Sequence, residues 1–174
     1  VVTKIPRFTF EKFAGSEARL STSMKSVGEA MAVGRSFEES LQKALRSMET
    51  GLTGLDEVPM PALDGTLGED PRRGWLDELV PFRILRIAQA IRSGMALDEL
   101  QAITGWDKWF VERIAAIIDA EAMIQAEGIP TEIVALRHLK SMGFSDARLA
   151  SLAGESSATV MAKRRSAGIA PVFK

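Results

Sequence analysis

The chain has 174 residues, with 22 basic and 23 acidic side chains, a formal net charge of −1 and 46% apolar residues. Its length suits one domain of ordinary size or two small ones, and the absence of cysteine excludes disulfides, thiolate metal sites and thiol nucleophiles. Apolar runs stay shorter than the roughly 18 residues of a membrane span, and the N-terminus has no signal-peptide pattern. We therefore expect a cytoplasmic protein and, because the first residue is not methionine, a piece of a longer chain.

Residues 1–35 predict extended segments and loops. VVTKIP (1–6) is typical of a strand that ends at a proline, and SVGEAMAVG (26–34) predicts a short buried strand or a turn-rich connection. This part holds six basic and three acidic residues (net +3), whereas residues 36–174 hold sixteen and twenty (net −4). Its apolar runs are too short for us to expect a sheet of its own.

Helical patterning begins at Ser36. SFEE (36–39) is a capping box, and helically spaced apolar residues follow it. This helix is predicted to end by Gly51. Residues 51–74 are rich in glycine and proline, so they predict a long loop that joins two units or lies across a neighbour.

From Pro81 onward the apolar spacing predicts six further helices separated by glycines. The longest begins after Asp107 and runs to about Glu127, and IAPVFK (169–174) leaves as an extended tail. We therefore expect a mainly α fold, an irregular helical domain of about six to seven helices with an extended or β-like N-terminal segment.

The helical region contains an internal repeat. Residues 94–105 match residues 143–154, each position shifted by 49, in the spacing of glycines and apolar side chains. The match predicts two similar helical units. The alternative is that any two compact helical hairpins need glycine stops and leucines at such places.

Patterns that carry chemistry are weak. Gly28 and Gly34 enclose five residues, which does not fit the G-x-x-x-x-G-K-[ST] phosphate loop. His138, the single histidine, has no partner that the sequence points to, so we predict a structural or surface role. Paired carboxylates at 38–39 and 98–99 stand at helix starts, where they complement the helix dipole. We predict no catalytic, cofactor-binding or metal-binding residue.

One segment suggests nucleic-acid binding. FSDARLASLAGESSATVMAKRRSAG (144–168) resembles a helix-turn-helix DNA reader that carries Lys163, Arg164 and Arg165 on its second helix. Successive helix positions point about 100° apart, so the three cations cannot all face one groove. A standalone DNA-binding module is therefore the alternative hypothesis.

Two stretches carry a specific resemblance. VVTKIPRFTFEKFAG (1–15) and MKSVGEAMAVGRSFEESLQKALRSME (24–49) resemble the large subunit of carbamoyl-phosphate synthase, at the end of its first ATP-grasp synthetase unit and the start of its helical oligomerization domain. The resemblance continues more loosely through WFVERI, LKSMGFSDARLASLAG and VFK. It implies that residues 1–35 are the C-terminal remnant of the synthetase unit and that residues 36–174, with the loop 51–74, are the oligomerization domain.

The resemblance also implies a parent enzyme. That enzyme would be an ATP-dependent ligase that makes carbamoyl phosphate from bicarbonate, glutamine-derived ammonia and two ATP, for arginine and pyrimidine synthesis. ATP and magnesium (or manganese) would bind outside these residues, so this part alone is predicted to be inactive. The implied partners are the rest of the large subunit, a glutaminase small subunit and a second copy of the chain, with no nucleic acid or membrane partner.

The helix after Asp107 is the first candidate for self-association. It is apolar over so much of its circumference that it is either buried in its own domain or shared with a partner. Complete burial is hard in a domain of about ninety residues. Because tryptophan is enriched at interface hot spots, we predict an interface at Trp106, Trp109 and Phe110.

Overall fold

The chain folds mainly as helices, with a two-stranded sheet at its N-terminal end. The computed structural model describes residues 1–8, 10, 18–62 and 70–171. Its elements are β1 (Val2–Arg7), β2 (Gly28–Val33), α1 (Phe37–Ser47), α2 (Pro71–Asp77), α3 (Arg83–Arg92), α4 (Leu97–Thr104), α5 (Lys108–Glu127), α6 (Ile133–Ser141), α7 (Asp146–Ala153) and α8 (Ser157–Ser166). The predicted mainly α class is confirmed, and the described residues form eight helices where six to seven were expected.

The N-terminal strands pair with each other. β1 runs antiparallel to β2, from Val2 opposite Val33 to Arg7 opposite Gly28. Both strands contact α1, and alternate side chains are buried in β2, at Ala30 and Ala32, and partly buried in β1. The expectation that residues 1–35 would form no sheet of their own is therefore wrong, because α1 supplies the apolar cover that the short strands lack.

Helix starts follow the sequence signals closely. At α1 the Ser36 hydroxyl accepts a hydrogen bond from the Glu39 amide at 3.1 Å, and the Glu39 carboxylate accepts one from the Arg35 amide at 2.7 Å. Asp107 caps α5 in the same manner, with its carboxylate 2.9 Å from the Trp109 amide. Ordinary N-cap chemistry thus sets where these helices begin.

Helix α2 was not predicted. It begins in the last residues of the segment predicted as a 51–74 loop and runs on to Asp77. Asp70 caps the helix and Pro71 is its first residue. That Asp-Pro pair is a helix start signal, but the surrounding glycines obscure it. The middle of the predicted loop, 63–69, and the last three residues of the predicted tail lie outside the described residues.

The predicted pair of helical units is present. We call α3–α5 the first repeat and α6–α8 the second repeat. α4 and α7 are both eight residues long and begin 49 residues apart. Left-handed glycines end the corresponding helices, Gly94 (φ +83°) with Gly143 (φ +96°) and Gly105 (φ +68°) with Gly154 (φ +66°). Equivalent positions therefore make equivalent turns.

Helix α5 forms the centre of the molecule. Its isoleucines Ile114, Ile117 and Ile124 are fully buried, and helices α1, α3, α4 and α7 contact it. Helices of the same chain cover this isoleucine face, whereas Trp109, Phe110 and Met123 of the same helix remain exposed, so burial of α5 by its own domain is incomplete. Only the remaining face of α5 can meet a partner.

A buried ion cluster joins the two repeats to the loop. Glu121 of α5 and Arg148 of α7 are 2% and 1% exposed, and the Glu121 carboxylate lies 2.9 Å from Arg148 and 2.6 Å from Arg92 of α3. Arg148 also binds the Glu57 carboxylate at 2.9 Å and the Leu55 carbonyl at 3.4 Å. Burial raises the pKa of the Glu121 carboxyl, against the opposing charges of both arginines.

Candidate functional site

Three exposed or half-buried rings form an aromatic cluster where α1 meets the start of α5. Phe37, Trp109 and Phe110 make edge-to-face contacts, with ring centroids 5.0–5.5 Å apart. Trp109 is 48% exposed and Phe110 is 42% exposed. Such packing is favourable for aromatic pairs, but the outer faces of both rings remain in water.

Local structure explains why the rings meet. Phe37 is the first residue of α1, directly after its cap Ser36. Trp109 and Phe110 lie in the first turn of α5, directly after its cap Asp107. The two helix starts are adjacent because α1 packs against α5, so two capping signals far apart in sequence place aromatic side chains side by side.

A charged rim adjoins the cluster. Arg113, one turn along α5, places its guanidinium carbon 6.0 Å from the centre of the Trp109 ring. It also lies 3.6 Å from the Glu38 carboxylate of α1. An apolar centre with a polar rim is typical of protein interfaces. Phe37 and Arg113 were not predicted to belong to the site, although a residue four positions after Trp109 is its helical neighbour.

The three predicted interface residues do not share one environment. Trp106 is partly buried and packs against the hydrophobic core, whereas Trp109 and Phe110 are exposed. The structure therefore brings Trp109 and Phe110 together at the surface and assigns Trp106 to packing. Whether the surface residues bind a partner stays a prediction.

The basic residues of α8 are mostly engaged within the chain. The Lys163 ammonium binds the Glu155 carboxylate at 2.7 and 2.8 Å. The Arg164 guanidinium binds the Asp146 carboxylate at 3.0 Å. Only Arg165 of the three is exposed and without a partner among the described residues. This arrangement does not favour the DNA-binding alternative, which needs free cations along one groove.

Other predicted sites show little organisation. His138 lies exposed on α6. Within the described part of the chain, no group of three or more histidine, aspartate or glutamate side chains could hold a metal ion. No helix found in the described ranges is long and apolar enough to cross a membrane.

Comparison with known proteins gives a consistent result. The family description that matches residues 29–168 is the oligomerisation domain of the carbamoyl-phosphate synthetase large chain. Among curated proteins, the carbamoyl phosphate synthase large chains of Mesorhizobium japonicum, Rhizobium meliloti and Vibrio parahaemolyticus are 52%, 51% and 47% identical to it.

These alignments cover 100% of this chain but only 15–16% of each relative. The match to the family begins at residue 29, inside β2, so it includes nearly all of the second strand and the eight helices of the described residues. The chain belongs to the family of carbamoyl-phosphate synthetase large-chain oligomerisation domains.

Proposed function

We propose that this chain is the non-catalytic oligomerisation and spacer part of a carbamoyl phosphate synthase large chain and associates with a second copy of itself through the aromatic cluster. The exposed rings of Trp109 and Phe110 carry this proposal. The family description supports the choice of a second copy as the occupant.

A twofold contact suits this surface. An isologous pairing places the same patch on both subunits, so each aromatic cluster would pack against its symmetry mate. Large aromatic side chains contribute strongly at interface centres. Specific interfaces bury about 1,200–2,000 Å² in total, which exceeds what two rings a side provide. The aromatic cluster would therefore be the centre of a wider contact that includes Arg113 and Glu38 at its rim.

The relatives support a proposal about the parent enzyme. We propose that it is an ATP-dependent ligase that joins bicarbonate and glutamine-derived ammonia into carbamoyl phosphate at the expense of two ATP, in the cytoplasm, for arginine and pyrimidine synthesis. ATP and magnesium or manganese would bind in other parts of that longer protein. Its other partners would be the rest of the large chain and a glutaminase subunit.

Mass in solution tests the association. Size-exclusion chromatography with light scattering, at several concentrations, would compare the parent chain with Trp109→Ala and Phe110→Ala. We expect the unsubstituted chain to dimerise and each variant to dimerise with about thirtyfold lower affinity. This loss of affinity corresponds to a hot spot of about 2 kcal/mol. Leu79→Ala is the matched control, because Leu79 is 45% exposed and lies outside the cluster.

Three results would contradict the proposal. If the unsubstituted chain stays monomeric at high micromolar concentration, the proposed self-association is wrong. If both ring variants dimerise as well as the unsubstituted chain while Leu79→Ala weakens the dimer, the interface lies outside the aromatic cluster. Bicarbonate-dependent ATP hydrolysis by the purified chain would contradict the non-catalytic role.

A further inference from the structure

The start of α5 carries a cation that the fold of the chain does not explain. Lys108 is the first residue of this helix, and the first turn holds no acidic side chain. The dipole of a helix favours anions at its N-terminus and opposes a cation there. The Lys108 ammonium lies 2.8 Å from the Asp98 carboxylate, but the two side chains are 51% and 80% exposed. Exposed ion pairs of this kind contribute little to stability, so stability does not account for Lys108.

Glu112 lies one turn further along the same helix and is unpaired. It is half-buried and forms no hydrogen bond or ion pair with any residue that the structure describes. Lys108 precedes it by four positions, which is the less favourable order for an ion pair within one helix. The helix start therefore presents one cation and one anion that do not neutralise each other.

These two charges lie beside the exposed ring of Trp109. At about 100° per residue, Lys108 and Glu112 differ by about 40° around the helix axis, and Trp109 lies about 60° from Glu112. The three side chains therefore share one half of the helix surface. Ile114 and Ile118 are buried on the opposite half. The charges and the ring thus face outward together.

A twofold axis makes this surface complementary to itself. In an isologous contact, each residue of one copy that meets a residue of the other copy does so twice. Two antiparallel α5 helices whose axis of symmetry passes at the level of Phe110 place Lys108 of each copy opposite Glu112 of the other, because both residues stand two positions from Phe110. Both Trp109 rings then lie close to the axis. A parallel pairing would instead place like charges opposite each other, which is unfavourable.

We propose that a second copy of the chain binds with its α5 antiparallel to this one, and that reciprocal ion pairs between Lys108 and Glu112 of the two copies set the register. This orientation rests on the proposed self-association through the aromatic cluster. Complementary charges supply specificity and orientation more than affinity, so the rings hold the copies together and the ion pairs select the antiparallel arrangement. Lys108 leaves Asp98 at little cost, because both side chains are exposed.

Charge reversal in the full chain tests the register. Lys108→Glu makes both positions acidic, and Glu112→Lys makes both positions basic, so each variant alone places like charges across the contact. An equimolar mixture of the two variants restores both ion pairs between unlike copies. Analytical ultracentrifugation of each variant and of the mixture, at low and at high ionic strength, measures the dissociation constants.

We expect each variant alone to dimerise with about tenfold lower affinity than the unsubstituted chain, and the mixture to recover most of that loss. The recovery should shrink at high ionic strength, because salt screens exposed charges. A chain that carries both reversals should dimerise with itself as the unsubstituted chain does. It should pair about tenfold more weakly with the unsubstituted chain, because like charges then face each other again.

A matched pair of controls changes the net charge equally at other exposed positions. Arg137→Glu lies on α6, and Glu127→Lys lies at the far end of α5. Each control alone should dimerise as the unsubstituted chain does, and their mixture should gain no affinity. Tighter pairing in the control mixture than in either control alone would show general attraction between oppositely charged chains and would contradict the register.

Failure of the register and failure of the self-association give different results. If Lys108→Glu and Glu112→Lys dimerise as well as the unsubstituted chain while Trp109→Ala weakens the dimer, the ring contact stands and the antiparallel register is wrong. Weakened dimers that mixing does not restore would show that the substitutions act within one copy, which also contradicts the register. An unsubstituted chain that stays monomeric at high micromolar concentration overturns both proposals and leaves the surface to another part of the parent protein.

Discussion

The two repeats share one backbone plan but differ in the role of their third helix. α5 of the first repeat has 20 residues and forms the centre of the core, whereas α8 of the second repeat has ten residues and packs mainly on α7. The exposed rings Trp109 and Phe110 correspond to Ala158 and Thr159. Glycines and caps common to both repeats set the turns. The side chains between them can therefore differ, and they can pack in the core, lie at an interface or carry charge.

The largest expected effect comes from breaking the contact between the repeats. Glu121→Gln leaves Arg92 and Arg148 buried without the charge that neutralises them, and removing one partner of a buried ion pair costs about 3–5 kcal/mol. Urea unfolding should show this loss. Glu127→Gln, an exposed position on the same helix, should change stability by less than about 0.5 kcal/mol. Equal midpoints for the two variants would show that the ion cluster contributes nothing.

A smaller effect separates two equivalent glycines. A Cβ at Gly143 would lie 2.9 Å from the Glu39 Cα, whereas nothing lies within 4 Å of one at Gly94. Alanine costs about 1–2 kcal/mol at either site because the backbone is left-handed. The clash with α1 adds to this, so we expect a loss of about 3 kcal/mol for Gly143→Ala. Thermal unfolding of the two variants checks this difference. Equal losses of stability would mean that α1 shifts to accommodate the added Cβ without destabilising the fold.

The next largest effect is on the pH dependence of stability, which should differ between the two repeats. Burial raises the pKa of the Asp146 carboxyl, but hydrogen bonds and charges from Lys140 and Arg164 outweigh burial and hold that pKa below its usual range. A carboxyl of this kind adds stability above its unfolded pKa of about 3.9 and loses it as the pH falls through the folded value. The equivalent Leu97 cannot titrate.

Asp146→Asn should therefore be less stable than the parent at neutral pH, by about 1–2 kcal/mol. The difference should begin to narrow as the pH falls below about 3.9 and should close only below the folded-state pKa of Asp146, where the unsubstituted chain has lost the same interaction. Urea unfolding at several pH values measures it, with Asp119→Asn, an exposed aspartate on α5, as the control. A stability gap that persists at low pH would contradict the ion-pair explanation.

The smallest effect concerns the caps of the two third helices. Asp107 and Ser156 occupy equivalent positions and each accepts a backbone hydrogen bond, at 2.9 and 3.1 Å. Alanine costs about 1 kcal/mol at such a position. Because α5 is central, Asp107→Ala should lower global stability, whereas Ser156→Ala should mainly fray α8. Hydrogen exchange separates the two, and uniform loss of protection in both variants would contradict this difference.

The helices and their repeat could be predicted because the signals that place them are local. The caps at Ser36 and Asp107 and the left-handed glycines each act within about four residues, so the sequence pattern is enough to place them. Glu121 could also have been noticed. It falls on the same helical spacing as the buried Ile114, Ile117 and Ile124, and a lone carboxylate on an apolar face needs a buried partner.

The sequence by itself determined the helical class, the glycine turns, the repeat and the family resemblance. Only the tertiary structure decided that β1 pairs with β2, that α5 is covered by its own chain, and which of the tryptophans reach the surface. It also decided that Arg148 meets Glu57, 91 residues away, and that Arg164 meets Asp146, 18 residues away. These features depend on how distant segments pack, and side-chain burial and charge pairing are set by that packing rather than by spacing along the chain.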